Sequence, residues 1–450
     1  MMIQDHNKTA LVSGSREITY TELISYIRDF AHHMKRYRSK KIAIFCENRP
    51  EWIYAYYGSW ELGCTNIPID MMSSEGELEY ILRDSQPKLI VCSDRTFDRV
   101  KNAVSRLPLT KKPEVMNVDR ETPRETDREL PPYQPSDDDV RLILYTSGTT
   151  GSSKGVMLTH KNIMKNVRWN NDSKRINETD RLLAVLPTHH SWPLMATVLC
   201  PLDCGATIVF LPELNAEALI STMKNNAITM LTGVPRLFEM LHGGVMREIR
   251  KNPAARAMLV LCRLVYRMPG NRIFGRVGVP YATMDVIPFT KAIFKKVHET
   301  FGGNIKIFIS GGAKLDPNII LDFCAMGIPM VEGYGLTETA PMVTYHPFDR
   351  IRIGSVGRVF DEIDIRFSHD REIEIKGPNV TPGYYKKPDE NEANFTGDGY
   401  FRTGDLGYID SERYLYLTGR RKDLIILSNG KNVRPDIIES QLKGDFELVK

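Results

Sequence analysis

The sequence predicts an α/β protein made of two α/β subdomains followed by a smaller β-rich subdomain. Three observations predict it. Short apolar runs alternate with helix-period segments over the first 130 residues. The same alternation returns in the middle of the chain, and from residue 354 it gives way to alternating, charged strands joined by tight turns. The 450 residues correspond to two to four domains at about 150 residues each. A content of 42% hydrophobic and 26% charged residues is that of a soluble globular protein. The net charge of +4 is too balanced to argue a nucleic-acid binder, and none is expected as a partner.

The elements follow in order. Residues 18–34 carry apolar side chains at a helical period. KIAIFC (41–46) is a short apolar run bounded by charge, hence a buried strand. EWIYAYYGSWELG reads as a helix ending at Gly63, NIPID as a strand, GELEYILRDS as a helix and KLIVCS (88–93) as a strand. Strands separated by helices imply parallel pairing with right-handed crossovers. Residues 107–138, rich in proline and charge, read as a surface connection. RLILYTSGTTGSSKG is a strand running into a loop of small residues. RLLAVLP, ATIVFLP, AITMLTG and IKIFISGG are further strands, and DEIDIRF, REIEIKG and RYLYLTG form the β-rich part, about 350–419. After Gly419 come a charged turn, a strand, a Gly turn and a helix starting at Pro435.

Seven cysteines stand at 46, 64, 92, 200, 204, 262 and 324 with no CxxC pair, which disfavours a disulfide framework or zinc site and fits a reducing compartment. MMIQDHNKTA has no apolar h-region, and no apolar run approaches membrane-spanning length, so a cytoplasmic location is expected.

The chemistry concentrates in four motifs. From Thr146 to Gly155, three glycines and six Ser/Thr hydroxyls occupy ten residues. Glycines let backbone N–H groups turn towards an anion, and Lys154 adds a positive charge. The Walker A pattern is absent. GYGLTETAP (333–341), YFRTGDLGYID (400–410) and LTGRRKDLIILSNGKNV (417–433) follow.

These four motifs in this order resemble the adenylate-forming, AMP-binding superfamily over nearly the whole chain, and TGVPRLFEMLHGG with the basic stretch after it resembles the corresponding segment of its long-chain fatty acyl-CoA synthetases. The resemblance implies the acyl-CoA synthetase-like fold: an N-terminal adenylation domain over 1–419, then a hinge and an incomplete C-terminal α+β domain over 420–450. It implies ATP, Mg²⁺ and coenzyme A as cofactors. By the same resemblance Thr146, Ser147, Gly148, Thr149, Thr150 and Lys154 form the phosphate loop. Gly311, Gly312 and Ala313 lie against the adenine and the acyl carboxylate. Tyr334, with Gly335 beside it, stacks on adenine, and Thr337 bonds the α-phosphate. Glu338 holds Mg²⁺, a hard cation suited to carboxylate and phosphate oxygens. Asp405 accepts the ribose hydroxyls, Arg420 reaches ribose or phosphate, and Lys422 is the hinge. The family's usual proline is replaced by Ser153.

The implied reaction is attack of a carboxylate on the α-phosphorus of ATP, giving acyl-AMP and pyrophosphate, then thioester formation with coenzyme A. LPTHHSWP (186–193) resembles the segment lining the acyl site, with His190 at its histidine and Trp192 as wall or gate. It lacks the aspartate that amino-acid-activating relatives use, so a free α-amino substrate is disfavoured; the basic stretch that follows favours a long-chain fatty acid, with medium-chain or aryl acids next. Residues 247–299 carry eleven Arg/Lys and three acids. A basic amphipathic surface suits peripheral contact with an anionic membrane; a solvated helical pair packed on the core is the alternative reading. Only 28 residues follow Lys422, and the family's C-terminal catalytic lysine motif is missing, so impaired adenylation is expected. Two rivals stand beside the CoA ligase: a fatty acyl-AMP ligase loading a carrier protein, and a non-catalytic nucleotide- or lipid-binding protein.

Overall fold

A computed structural model describes the chain apart from residues 1, 2, 5, 109, 111, 122–129, 147–152, 174, 175, 268–289, 348, 349, 422–424, 427–431 and 434–450. The helix expected from Pro435 lies outside the described residues, as does much of the basic stretch.

Two seven-stranded sheets carry the α/β part. In the first, Lys41–Phe45 is an inner strand, paired in parallel with Thr65–Pro68 on one side and Leu89–Cys92 on the other. The apolar runs make this arrangement: a strand covered on both faces needs continuous rather than alternating hydrophobicity. Helix Pro50–Glu61 between them is buried over ten of its twelve residues, which is why its sequence shows apolar residues all round. Helices Tyr20–His33 and Glu75–Ser85 each start at a capping box, Thr19 with Glu22 and Ser74 with Glu77.

The second sheet runs Met330–Glu332, Ile307–Ser310, Met230–Gly233, Arg181–Ala184, Thr207–Phe210, Thr9–Ser13 and Arg16–Thr19. All its pairs are parallel except the last. The β-rich part is a four-stranded antiparallel sheet of Asp364–Phe367, Glu372–Lys376, Phe401–Ile409 and Leu415–Arg420.

Three features depart from the sequence reading. Glu114–Asn117, inside the expected surface connection, is a strand parallel to Leu89–Cys92; four residues flanked by charge are too few to show a period. Thr9–Ser13 pairs with Thr207–Phe210, joining the chain's start to the second sheet. The strand before the Ser/Gly loop does not end the pairing there, because Lys154–Thr159 returns antiparallel to Val140–Thr146, making these two strands a hairpin. All seven cysteines are free thiols, and all but Cys204 are buried.

Candidate active site

The three sheets converge on one cavity of about 1200 Å³. Its polar end is assembled from four stretches that the sequence singled out. Thr146 and Lys154 face each other in register at the mouth of the hairpin and both line the wall. Ser147, Gly148, Thr149 and Thr150, between them, lie outside the described residues, as does Lys422.

Lys154 Nζ sits 2.5 Å from Glu390 Oε2, and its side chain is largely buried. This contact holds the Glu390 carboxyl below its usual range. Sequence reasoning missed Glu390, which comes from the short polar helix Pro388–Asn394 and carries no local signal.

Thr337 and Glu338 follow the edge strand Met330–Glu332 through a turn that only glycine permits. A Cβ on Gly335 would lie 1.7 Å from the Pro341 carbonyl oxygen, within the backbone itself. The Thr337 hydroxyl lies 3.3 Å from that of Ser191. Glu338, half-buried, accepts a 2.8 Å hydrogen bond from the Tyr384 hydroxyl. Burial raises its carboxyl above the ordinary range, partly offset by hydrogen bonds and by the charge of Lys154. A cation beside Glu338 would offset the same penalty, so this carboxylate fits a Mg²⁺ ligand whose other ligands are phosphate oxygens. Among the described residues there is no group of three His, Cys, Asp or Glu that could hold a metal by itself.

The third sheet contributes Asp405 and Arg420, paired in register at its edge. Asp405, 5% exposed, accepts from the Tyr334 hydroxyl at 2.8 Å and lies 3.1 Å from Arg420 Nε. Burial, followed by the Asp405 charge, raises the Tyr334 phenol. Tyr334 therefore reaches the Asp405 carboxylate from within the wall. Gly311 and Gly312 also line the cavity; Ala313 is exposed and does not. The Trp192 ring packs on Gly311, where a Cβ would come within 3.0 Å of it.

His190 lines the cavity, with its Nε2 3.0 Å from that of His189. Burial lowers both imidazoles, and the neighbouring ring helps push His189 down to about 4. Both are therefore neutral near pH 7. Beyond Trp192 the cavity becomes apolar. Leu182, Met230, Ile307 and Ile309 form a floor from one face of the second sheet, and Met195 and Ala196, on a π-helical turn, close over it. Glu332 is a further residue the sequence did not single out. It is buried in the wall, and burial pushes its carboxyl up to about 7 against one hydrogen bond from the Leu315 N–H at 2.7 Å.

A family model of AMP-binding enzymes matches residues 3–385. The chain belongs to the AMP-binding enzyme family. A long-chain-fatty-acid–CoA ligase, FadD15 of Mycobacterium bovis, is 27% identical over 90% of this chain and 69% of its own length. A 2-succinylbenzoate–CoA ligase of Bacillus velezensis is 27% identical over 97% of this chain and 79% of its own. Among solved structures, ATP-bound MatB of Rhodopseudomonas palustris is 27% identical with a TM-score of 0.78, covering 98% of this chain and 81% of that one. The resemblance and fold class read from the four motifs are thereby borne out.

Proposed function

We propose that this chain activates a fatty acid with ATP to acyl-AMP and pyrophosphate and passes the acyl group to coenzyme A. One observation carries the reading: a single cavity joins a polar end holding Lys154, Thr337, Glu338, Asp405 and Arg420 to an apolar arm floored by Leu182, Met230, Ile307 and Ile309. The polar end suits a nucleotide. Asp405 offers carboxylate oxygens for ribose hydroxyls, Arg420 and Lys154 offer charge for phosphates, and Glu338 offers an oxygen ligand to Mg²⁺, which supplies charge neutralisation at the phosphates when bound. The carboxylate oxygen forms a bond to the α-phosphorus while the bond to pyrophosphate breaks. Thr337 and Lys154 hold the reacting phosphate, and the work is positioning and charge neutralisation. The coenzyme A thiol then bonds to the acyl carbon and AMP departs.

The relatives act on different acids, so the apolar arm carries the choice of fatty acid. Its sheet floor is mostly hydrocarbon, which suits an alkyl chain. The test is ATP–pyrophosphate exchange with fatty, aryl and amino acids, followed by thioester formation with coenzyme A. Exchange with fatty acids above the others is expected. Exchange confined to aryl or amino acids, or ATP binding without exchange for any acid, overturns the reading.

Peripheral membrane contact through 247–299 belongs to the same proposal. Helix Pro253–Arg267 exposes Val260, Leu261 and Leu264 at 49–54%. Its Arg263 is not free for lipid: Nε and Nη2 both lie 2.5 Å from the buried Asp322, which also meets His242 at 2.7 Å, locking three helices together. Among the described residues no helix is long and apolar enough to cross a membrane. Flotation with anionic vesicles, lost in Leu261→Asp, tests it; flotation unchanged by that substitution argues against this helix.

A further inference from the structure

The floor of the apolar arm contains one residue that an alkyl chain does not need. Along one strand and its exit, Met230, Thr232 and Val234 face the cavity; along the neighbouring strand, Ile307, Ile309 and Gly311 do. Thr232 is 2% exposed, and its hydroxyl makes no hydrogen bond. Leaving a buried hydroxyl unpaired is unfavourable, and valine has the same shape without that cost. Ser310 also has an unpartnered hydroxyl, but it alternates to the opposite face and does not line the cavity.

A second unpartnered donor lies close by. The Trp192 indole N–H, against Gly311, is buried and unbonded. Thr232 pairs in register with Ile309, two residues before Gly311. At strand spacing that is about 7 Å from the Gly311 end of the cavity into the arm. An indole N–H only donates, and a threonine hydroxyl can donate too, so what satisfies either is an acceptor oxygen.

Resting on the acid-activating reading above, we infer that the preferred acids carry an oxo or hydroxyl oxygen on the carbons near the carboxylate, read by Thr232 with Trp192 as second donor. Thr232 is then a specificity-determining residue, and its unpaired hydroxyl in the free protein is the acceptor site's counterpart. A plain alkyl acid leaves both donors unpaired in the complex, which is the stronger form of discrimination.

The experiment compares decanoate with 3-hydroxydecanoate and 4-oxodecanoate, with ATP and Mg²⁺ present. Dissociation constants come from calorimetry and kcat/KM from pyrophosphate exchange. At least one oxygenated acid is expected to exceed decanoate by about fivefold, the worth of one neutral hydrogen bond. Thr232→Val abolishes that ratio, Thr232→Ser keeps it, and Trp192→Phe reduces it. A ratio unchanged in Thr232→Val, or a wild type that prefers decanoate, overturns the inference and leaves the acid-activating reading standing. ATP binding with no acid bound or exchanged overturns both.

Discussion

Glu332 gives the sharpest test of the site's electrostatics. Its carboxyl is 5% exposed in the cavity wall, with one hydrogen bond from the Leu315 N–H. Burial raises it from the ordinary 4.5 to about 7. A raised acid binds its proton more tightly in the folded state, so its favourable contribution is fully present below pH 4.5 and is lost as pH rises through 7. At about 1.4 kcal/mol per pH unit the loss comes to about 3 kcal/mol at alkaline pH. Glu332→Gln keeps an oxygen to accept from Leu315 and removes the ionisation. The variant should match wild type near pH 4.5 and become progressively more stable than it between pH 5 and 8. For a chain of this length the difference reaches about 3 °C in Tm, read by scanning fluorimetry at matched ionic strength. A Tm difference that stays flat from pH 5 to 8 would refute the assignment of a buried, weakly partnered carboxyl at this position.

Three further perturbations follow from the same geometry. Gly335→Ala places a Cβ in the Pro341 carbonyl and should abolish the thermal stabilisation given by ATP and Mg²⁺; a wild-type response would show that the turn can relax. Glu390→Gln releases Lys154 from its 2.5 Å ion pair and should tighten ATP binding several-fold by calorimetry, whereas weaker binding would mean that Glu390 positions the lysine. The lowered imidazole of His189 contributes stability that is present above pH 6.5 and lost as pH falls towards 4. The acid-side drop in Tm should therefore shrink in His189→Gln, and an unchanged acid limb would argue that this ring is not buried neutral.

What was legible in the sequence is what local residues dictate. The apolar runs at 41–46 and 88–93 announce buried strands because each carries its own hydrophobicity. Thr146, Lys154, Thr337, Glu338, Asp405 and Arg420 were singled out because the four motifs that carry them resemble one family in their order, and all six line one cavity. What was not legible depends on pairing across long separations. Thr9–Ser13 finds its partner about 200 residues away, and nothing in TALVS names Thr207–Phe210. Gly383–Tyr384 pairs with Lys154–Thr159, and only that pairing brings the Tyr384 hydroxyl to Glu338 and the helix bearing Glu390 to Lys154. Glu332 was hidden for a different reason. A glutamate ending an apolar run looks like a surface cap until the fold buries it.

The polar end of the cavity belongs to no single sheet. Lys154 comes from a hairpin of the first, Thr337 and Glu338 from the turn leaving the second, and Asp405 and Arg420 from the third. Buried asparagines tie these pieces together. Asn166 accepts from the Met342 N–H at 2.8 Å. Asn379 donates to the carbonyls of Thr339 and Met342 at 3.0 and 2.8 Å, and Asn162 donates to those of Pro378 and Val380 at 2.9 Å. Asn166 and Asn379 are fully buried, so each bond replaces one that water cannot make. The strand pairing carries the network onward: the Thr381 N–H donates to the Glu338 carbonyl at 2.7 Å, two residues before Gly383 joins the first sheet. The 337–342 turn is thus held by helix His160–Asp172 and by the segment leading into Gly383, as well as by the hydrogen bonds of its own short helical turn. The placement of Glu338 relative to Lys154 is therefore a property of how the first and second sheets are joined, which is why motifs so far apart in sequence act at one place.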